Sequence, residues 1–198
     1  KSKFEVREFD REMNFAVITR QKELTVLGRD LDKTNNMIIE KAINTTIEAL
    51  KKFNTEMKKL KVDKYLAVGT EAIRKAVNAD EVLKRIALET GIKLEILDHK
   101  SEAQIYFQSV SKDFPGKTIA VSDIGGGSVQ VVIGKDKQIF ETHLFKTGTY
   151  FMQENFSKTH HPTKEELKKA INYVKQELKP LKKTKCSAEL LVYGSTNI

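Results

Sequence analysis

Asp123-Ile124-Gly125-Gly126-Gly127-Ser128 lies between two apolar runs, 118–122 and 129–133. Three consecutive glycines lose much conformational entropy on folding, so their presence asks for a reason. A tight hairpin accounts for one or two of them. A loop whose backbone must approach a phosphate accounts for all three, because side chains would block the N–H groups. Ser128 adds a hydroxyl donor. Asp123, at the end of the preceding strand, is placed to hold a hard cation directly or through water, and such a cation neutralises phosphate oxygens. On spacing alone, a glycine-rich hairpin with an aspartate at its mouth remains the alternative. The run is not a P-loop, because no Gly-Lys-Ser/Thr follows it. Nor is it the dinucleotide fingerprint, because a strand rather than a helix follows.

The elements that must position this run can be read from hydrophobic periodicity. Strands are predicted at 4–6, 15–19 and 24–27, the last closed by Gly28. Ile39, Ile43, Ile47, Leu50, Phe53, Met57 and Leu60 recur at steps of three and four, one apolar face of a long amphipathic helix. A buried strand is expected at 65–68, a helix from after Thr70 to about Thr90 with Gly91 as its C-terminal cap, and a strand at 94–97. Residues 101–110 have helical spacing, and Phe114-Pro115-Gly116 is a turn. Strands at 129–133 and 139–145 flank a turn at Gly134-Lys135-Asp136. Helices are expected at 149–156 and 163–178, the second opened by Thr163 and Glu166 at capping-box spacing, and a last strand at 190–193. Strands and helices are mixed, with hairpins early and late, which argues for an α/β domain with a mixed sheet flanked by helices.

The 198 residues are 39% hydrophobic and 31% charged, enough for a core and too apolar for a disordered polymer. Lysine and arginine number 35 against 27 acidic residues, giving +8. That excess fits a polyanionic partner or simply a basic surface. Cys186 is the only cysteine, so no intrachain disulfide forms. No apolar run approaches the roughly 20 residues that span a bilayer, and residues 1–15 have no signal-peptide core. The chain reads as cytoplasmic, without a membrane partner. No helix-turn-helix, aromatic RNA-binding pattern or zinc-ligand spacing suggests specific nucleic-acid binding. His160-His161 lacks the companions of a metal site.

Residues 123–128 resemble the second phosphate loop of the exopolyphosphatase/guanosine pentaphosphate phosphatase family, within the superfamily of actin, hexokinases and heat-shock ATPases. The likeness extends in order along nearly the whole chain. Leu27-Gly28-Arg29-Asp30-Leu31 resembles the family's early Leu-Gly-x-x-Leu, and residues 68–79, with Arg74 and Ala76-Val77-Asn78, its Leu-Arg and Ala-x-Asn segment. Residues 96–110, with Glu102-Ala103, resemble the segment that carries the family's catalytic glutamate. The resemblance implies a ribonuclease-H-like, actin-type domain. Most of a first domain would lie in residues 1 to about 120. The second phosphate loop, two helices and the start of a crossover would occupy about 118–198. The family's first phosphate loop, Asp-x-Gly-Ser-Asn-Ser, would precede Lys1, and a further glycine-rich loop would begin near Gly194-Ser195-Thr196-Asn197.

The implied reaction is Mg²⁺-dependent removal of a terminal orthophosphate from inorganic polyphosphate or guanosine pentaphosphate. Glu102 would activate water, Asp123 would help hold Mg²⁺, and Gly125, Gly126, Gly127, Ser128 and Arg74 would bind phosphate oxygens. Without the resemblance, Glu102 reads as an acid at a helix N-terminus and Arg74 equally well as a salt-bridge arginine. A homodimer of the full-length protein is left open. Two departures matter. The family's Glu-Glu-Ala is Ser101-Glu102-Ala103 here, and its Ser-Thr-Glu is Ser128-Val129-Gln130. Gln130 exchanges hydrogen bonds but supplies no carboxylate. A non-catalytic relative that binds or senses polyphosphate or a phosphorylated nucleotide is therefore the alternative, with a kinase of the same superfamily a third reading.

Overall fold

The computed structural model describes residues 2–157 and 161–195, apart from the side chains of Asp32 and Ser195. The expectations at Lys1, His160 and residues 196–198 lie outside the described residues. The chain divides into two compact units, Lys1–Asp98 and His99–Ile198.

The first unit opens with an antiparallel hairpin, β1 (Ser2–Phe9) and β2 (Phe15–Glu23), longer than the apolar runs predict. Helix α1 (Glu40–Lys59) follows and buries the predicted face, with Ile43, Ile47, Leu50 and Phe53 in the core. The Phe4 ring stacks on Phe53 at 5.0 Å. No strand forms at 24–27. Val26 takes φ 47°, and its carbonyl accepts from the Arg29 N–H at 2.9 Å, so the chain turns there and Leu27 folds onto the core. The buried strand expected at 65–68 is also absent: Tyr65 and Leu66 are exposed. Only β3 (Val68–Gly69) pairs, parallel to β4 (Glu95–Ile96).

The helix expected to run to Thr90 breaks into α2 (Glu71–Lys75) and α3 (Ala79–Thr90). Ala76 is extended, and Asn78 explains the break. Its side-chain amide donates to the Ile38 carbonyl, and its side-chain oxygen accepts from the Ile38 N–H. Side chains of this type compete with helical backbone bonding. Gly91 ends α3 at φ 72°, the left-handed cap expected of a glycine there.

The second unit is built on a four-stranded mixed sheet in the order β7-β6-β5-β8. β5 (Thr118–Ile124), β6 (Val129–Lys135) and β7 (Gln138–Phe145) form an antiparallel meander, and β8 (Leu190–Ser195) lies parallel to β5. The β6–β7 turn falls on Asp136 and Lys137, one residue later than predicted. Gly134 stays inside β6, and an added Cβ there would run into the Gln138 carbonyl oxygen and lie 2.7 Å from the Phe107 ring. Both faces of the sheet are covered. Helix α4 (His99–Ser111) places Ala103 and Phe107 against Ile119, Val121 and Val132. Leu178, Leu181 and Cys186 cover Ala120, Val131, Ile133 and Phe145 on the other side. Between β7 and β8 come α5 (Thr149–Phe156), α6 (Lys164–Glu177) and a 3-10 turn at Lys179–Lys183. Thr163 and Glu166 make the reciprocal bonds of the predicted capping box.

Candidate functional site

Strand periodicity places the acid first. Ile119 and Val121 face α4, so Asp123, two residues further, lies on the same face of β5. On β6, Val132 faces α4, and so does Gln130, which stands opposite Asp123 in the antiparallel register. On the other side of β5, Asp123 pairs with Gly194 of β8. Gln130 is a buried polar side chain whose Nε2 donates to the His99 carbonyl at 3.4 Å. Tyr106, two turns along α4, donates its hydroxyl to the Ser122 carbonyl at 3.1 Å. Burial pushes the Tyr106 hydroxyl up to about 12, and the charge of Asp123 adds to the shift. Glu102 lies in the first turn of α4, between these two anchor points. It precedes Tyr106 by four residues, so both stand on one side of the helix.

The glycine loop is held from behind. The Gly125 N–H donates to the Ser128 carbonyl at 2.9 Å and closes the loop on itself. The Gly125 carbonyl accepts from Thr149 N–H at 3.0 Å, and the Gly126 carbonyl accepts from Tyr150 N–H at 2.8 Å and Phe151 N–H at 3.1 Å. These are the donors that a helix N-terminus leaves without partners inside the helix, so the loop itself caps α5. With the Gly125 and Gly126 carbonyls turned to α5, the N–H groups of Gly126 and Gly127 bond to no backbone acceptor among the described residues.

Close approach, not handedness, explains these glycines. Neither Gly125 nor Gly126 adopts the left-handed backbone that a primed hairpin turn needs. An added Cβ would lie 3.0 Å from the Ser128 carbonyl oxygen at Gly125 and 2.7 Å from the Tyr150 ring at Gly126.

Sequence reading missed Gly148 and Tyr150, which back the loop. Gly148 is the N-cap of α5, and a Cβ there would run into the Gly126 oxygen, the Gly127 carbonyl carbon and the Ser128 nitrogen. A glycine directly before a predicted helix was the available signal, and it reads equally well as an ordinary cap. Tyr106 was also missed, although its spacing from Glu102 was visible.

Asp123, Gly125, Gly126, Gly127, Ser128 and the helix carrying Glu102 thus share the second unit. Arg74 belongs to the first. It sits on α2, where its guanidinium donates to the Leu97 carbonyl. No group of three or more histidine, cysteine or acidic side chains able to hold a metal occurs among the described residues. Asp123 fits the other arrangement available to Mg²⁺, one carboxylate supplemented by water and substrate oxygens.

A glycine loop braced by a helix N-terminus thus lies next to an aspartate on the mixed sheet of an α/β domain. Residues 6–193 match the model of the Ppx/GppA phosphatase family, and the chain belongs to that family. It is 31% identical over 172 residues to a bifunctional 3-dehydroquinate synthase/phosphatase of Fusobacterium nucleatum, covering 83% of this chain and 26% of the relative. It is 29% identical over 150 residues to a guanosine-5'-triphosphate,3'-diphosphate pyrophosphatase of Photobacterium profundum, covering 75% of this chain and 30% of the relative. The crystal structure of an exopolyphosphatase from Cytophaga hutchinsonii superposes with a TM-score of 0.86 at 25% identity, over 96% of this chain and 61% of that one. The chain therefore spans about a quarter to a third of these two curated relatives.

Proposed function

We propose that this chain carries the phosphate-gripping part of a phosphohydrolase that releases terminal orthophosphate from inorganic polyphosphate, guanosine pentaphosphate or both. The observation that carries this is the polarity of loop 125–128: the Gly125 and Gly126 carbonyls face α5, and the Gly126 and Gly127 amides bond to no backbone acceptor among the described residues, which leaves them available to an anion. The names of the relatives support the substrate class.

Hydrolysis of a phosphoanhydride needs in-line attack by water and neutralisation of charge on the transferred group. Gly126 and Gly127 donate N–H groups to its oxygens, and Ser128 adds its hydroxyl. Asp123 is the residue that would hold Mg²⁺, which supplies charge neutralisation when bound. Glu102 orients the attacking water and takes its proton. Arg74 serves as a further phosphate ligand through its forked guanidinium. In a cytoplasmic setting the excess of lysine and arginine over acidic residues would favour such polyanions.

A second reading has its own observation. At position 130, where the family has a carboxylate, a buried amide bonds to the α4 backbone instead. Loss of that acid favours a protein that binds or senses a polyphosphorylated ligand without cleaving it. The two readings separate on orthophosphate release by the full-length protein with Mg²⁺, given long-chain polyphosphate and guanosine pentaphosphate in turn, beside Glu102→Gln. Release that the variant abolishes establishes the hydrolase and ranks the substrates. Binding of either compound with no release establishes the sensor.

A further inference from the structure

We propose that Tyr106 and Gln130 are a two-point tether that fixes the first two turns of α4, and hence Glu102, over the Asp123–Gln130 strand pair. The role given to Glu102 rests on the hydrolase reading above; the tether itself does not.

Three observations carry it. The first is the pair of bonds, one at each end of the segment. Gln130 reaches up from β6 to the His99 carbonyl at 3.4 Å, and Tyr106 reaches down to the Ser122 carbonyl at 3.1 Å. Glu102 lies between them in sequence, and residues flanked by two anchors on a rigid sheet lose their freedom to slide. The second is burial. Tyr106, on α4, is half-buried where its hydroxyl meets β5 beside the charge of Asp123, and a desolvated hydroxyl without an acceptor is costly. Phenylalanine would fill the same space, so the hydroxyl is there for the bond. The third is Gly194. It neighbours Asp123 on β8, and a Cβ there would lie 3.4 Å from the Tyr106 oxygen. The Tyr106 hydroxyl therefore packs directly on the β8 neighbour of Asp123, at ordinary contact distance.

Gln130 gains a physical reason from the same geometry. An amide can donate to the His99 carbonyl, whereas a carboxylate presents only acceptors to it. In this chain the position therefore serves to hold the helix.

The test uses the full-length protein and two readouts. Amide hydrogen exchange is followed across residues 99–106 and, as an internal reference, across β5 and β6. Orthophosphate release is measured for kcat and KM. Tyr106→Phe and Gln130→Leu are each expected to speed exchange in the first two turns of α4 by about tenfold and to leave the two strands unchanged. The same variants should lower kcat by about tenfold with KM within about twofold, because the substrate's own ligands stay in place. Gln130→Glu should behave like Gln130→Leu. Unchanged exchange in α4, or exchange raised equally in helix and strands, overturns the tether whatever the activity. A gain in kcat for Gln130→Glu also overturns it, since the position would then be a lost carboxylate site. If the wild type hydrolyses nothing while α4 exchange responds as expected, the tether stands and the hydrolase reading falls.

Discussion

The first unit gathers most of its buried side chains into one cluster around α1, including Ile43, Ile47, Leu50, Phe53, Val82 and Ile86. The second divides its core into two thinner layers, one under α4 and one under Leu178, Leu181 and Cys186, with the sheet between them. A single thick cluster can absorb a local change. A thin layer under a short helix transmits it, because few buried side chains share the load. The candidate phosphate loop and Glu102 belong to the unit with thin layers, so stability and chemistry should be coupled there and separable in the α1 cluster of the first unit.

Truncation of one core residue in each unit tests this most severely. Phe107→Ala removes the main side chain between α4 and the sheet and should cost about 3–5 kcal/mol, while Ile47→Ala should cost about 2–5 kcal/mol. Denaturant unfolding measures both. The contrast lies in phosphate release per folded molecule, which Phe107→Ala should abolish and Ile47→Ala should preserve. Equal activity loss in the two variants would break the distinction.

Two glycines sharpen it at the next level. Gly148→Ala drives a methyl group into the backbone of Gly126, Gly127 and Ser128, so the loop must shift. Displacements of that kind cost about a hundredfold in turnover, read as kcat against a modest change in melting temperature. Gly91→Ala makes only an ordinary contact, 3.8 Å from the Asn54 amide nitrogen, but must hold φ 72°. It should cost about 1–2 kcal/mol of stability and leave kcat alone.

How much of this was legible beforehand depends on whether the cause was local. The α1 face, the Thr163–Glu166 box and the Gly91 cap depend on neighbours within a few residues, and all three are found. The glycine run was legible because three in a row exceed what a turn needs. The breaks were not. Residues 24–27 look like a strand because short apolar runs carry no information about whether a partner strand exists. Residues 71–90 look like one helix because Asn78 interrupts it through Ile38, forty positions away. Gly148 was illegible for the same reason: what lies against it comes from residues 126–128, not from α5. Asn78→Ala tests the long-range cause. Leaving the Ile38 groups without their partner should cost about 1–3 kcal/mol, seen in denaturant unfolding.

The smallest effect concerns the outer layer of the second unit and is best seen through pH. Glu141 on β7 accepts from the Lys185 N–H at 3.0 Å and lies 3.1 Å from His143 Nε2, so it ties the segment before β8 to the sheet edge. The Lys185 N–H is the main reason its carboxyl titrates below the ordinary 4.5, with smaller help from His143, Cys186 and Thr184. A carboxylate with a depressed value in the folded state stabilises fully above its unfolded value. That contribution is lost as pH falls through the folded value. Melting temperature should therefore fall below pH 4.5 more steeply in the wild type than in Glu141→Gln, which has no charge to lose there. At neutral pH the variant should be only slightly less stable, because exposed charged contacts are weak. The same burial and the same carboxylate hold the Cys186 thiol above its usual value, so it should react slowly with alkylating reagents at neutral pH. Glu141→Gln should speed that reaction. Parallel melting curves in wild type and variant from pH 3 to pH 7, together with equal alkylation rates, would show that β8 is held to the sheet by its pairing with β5 alone.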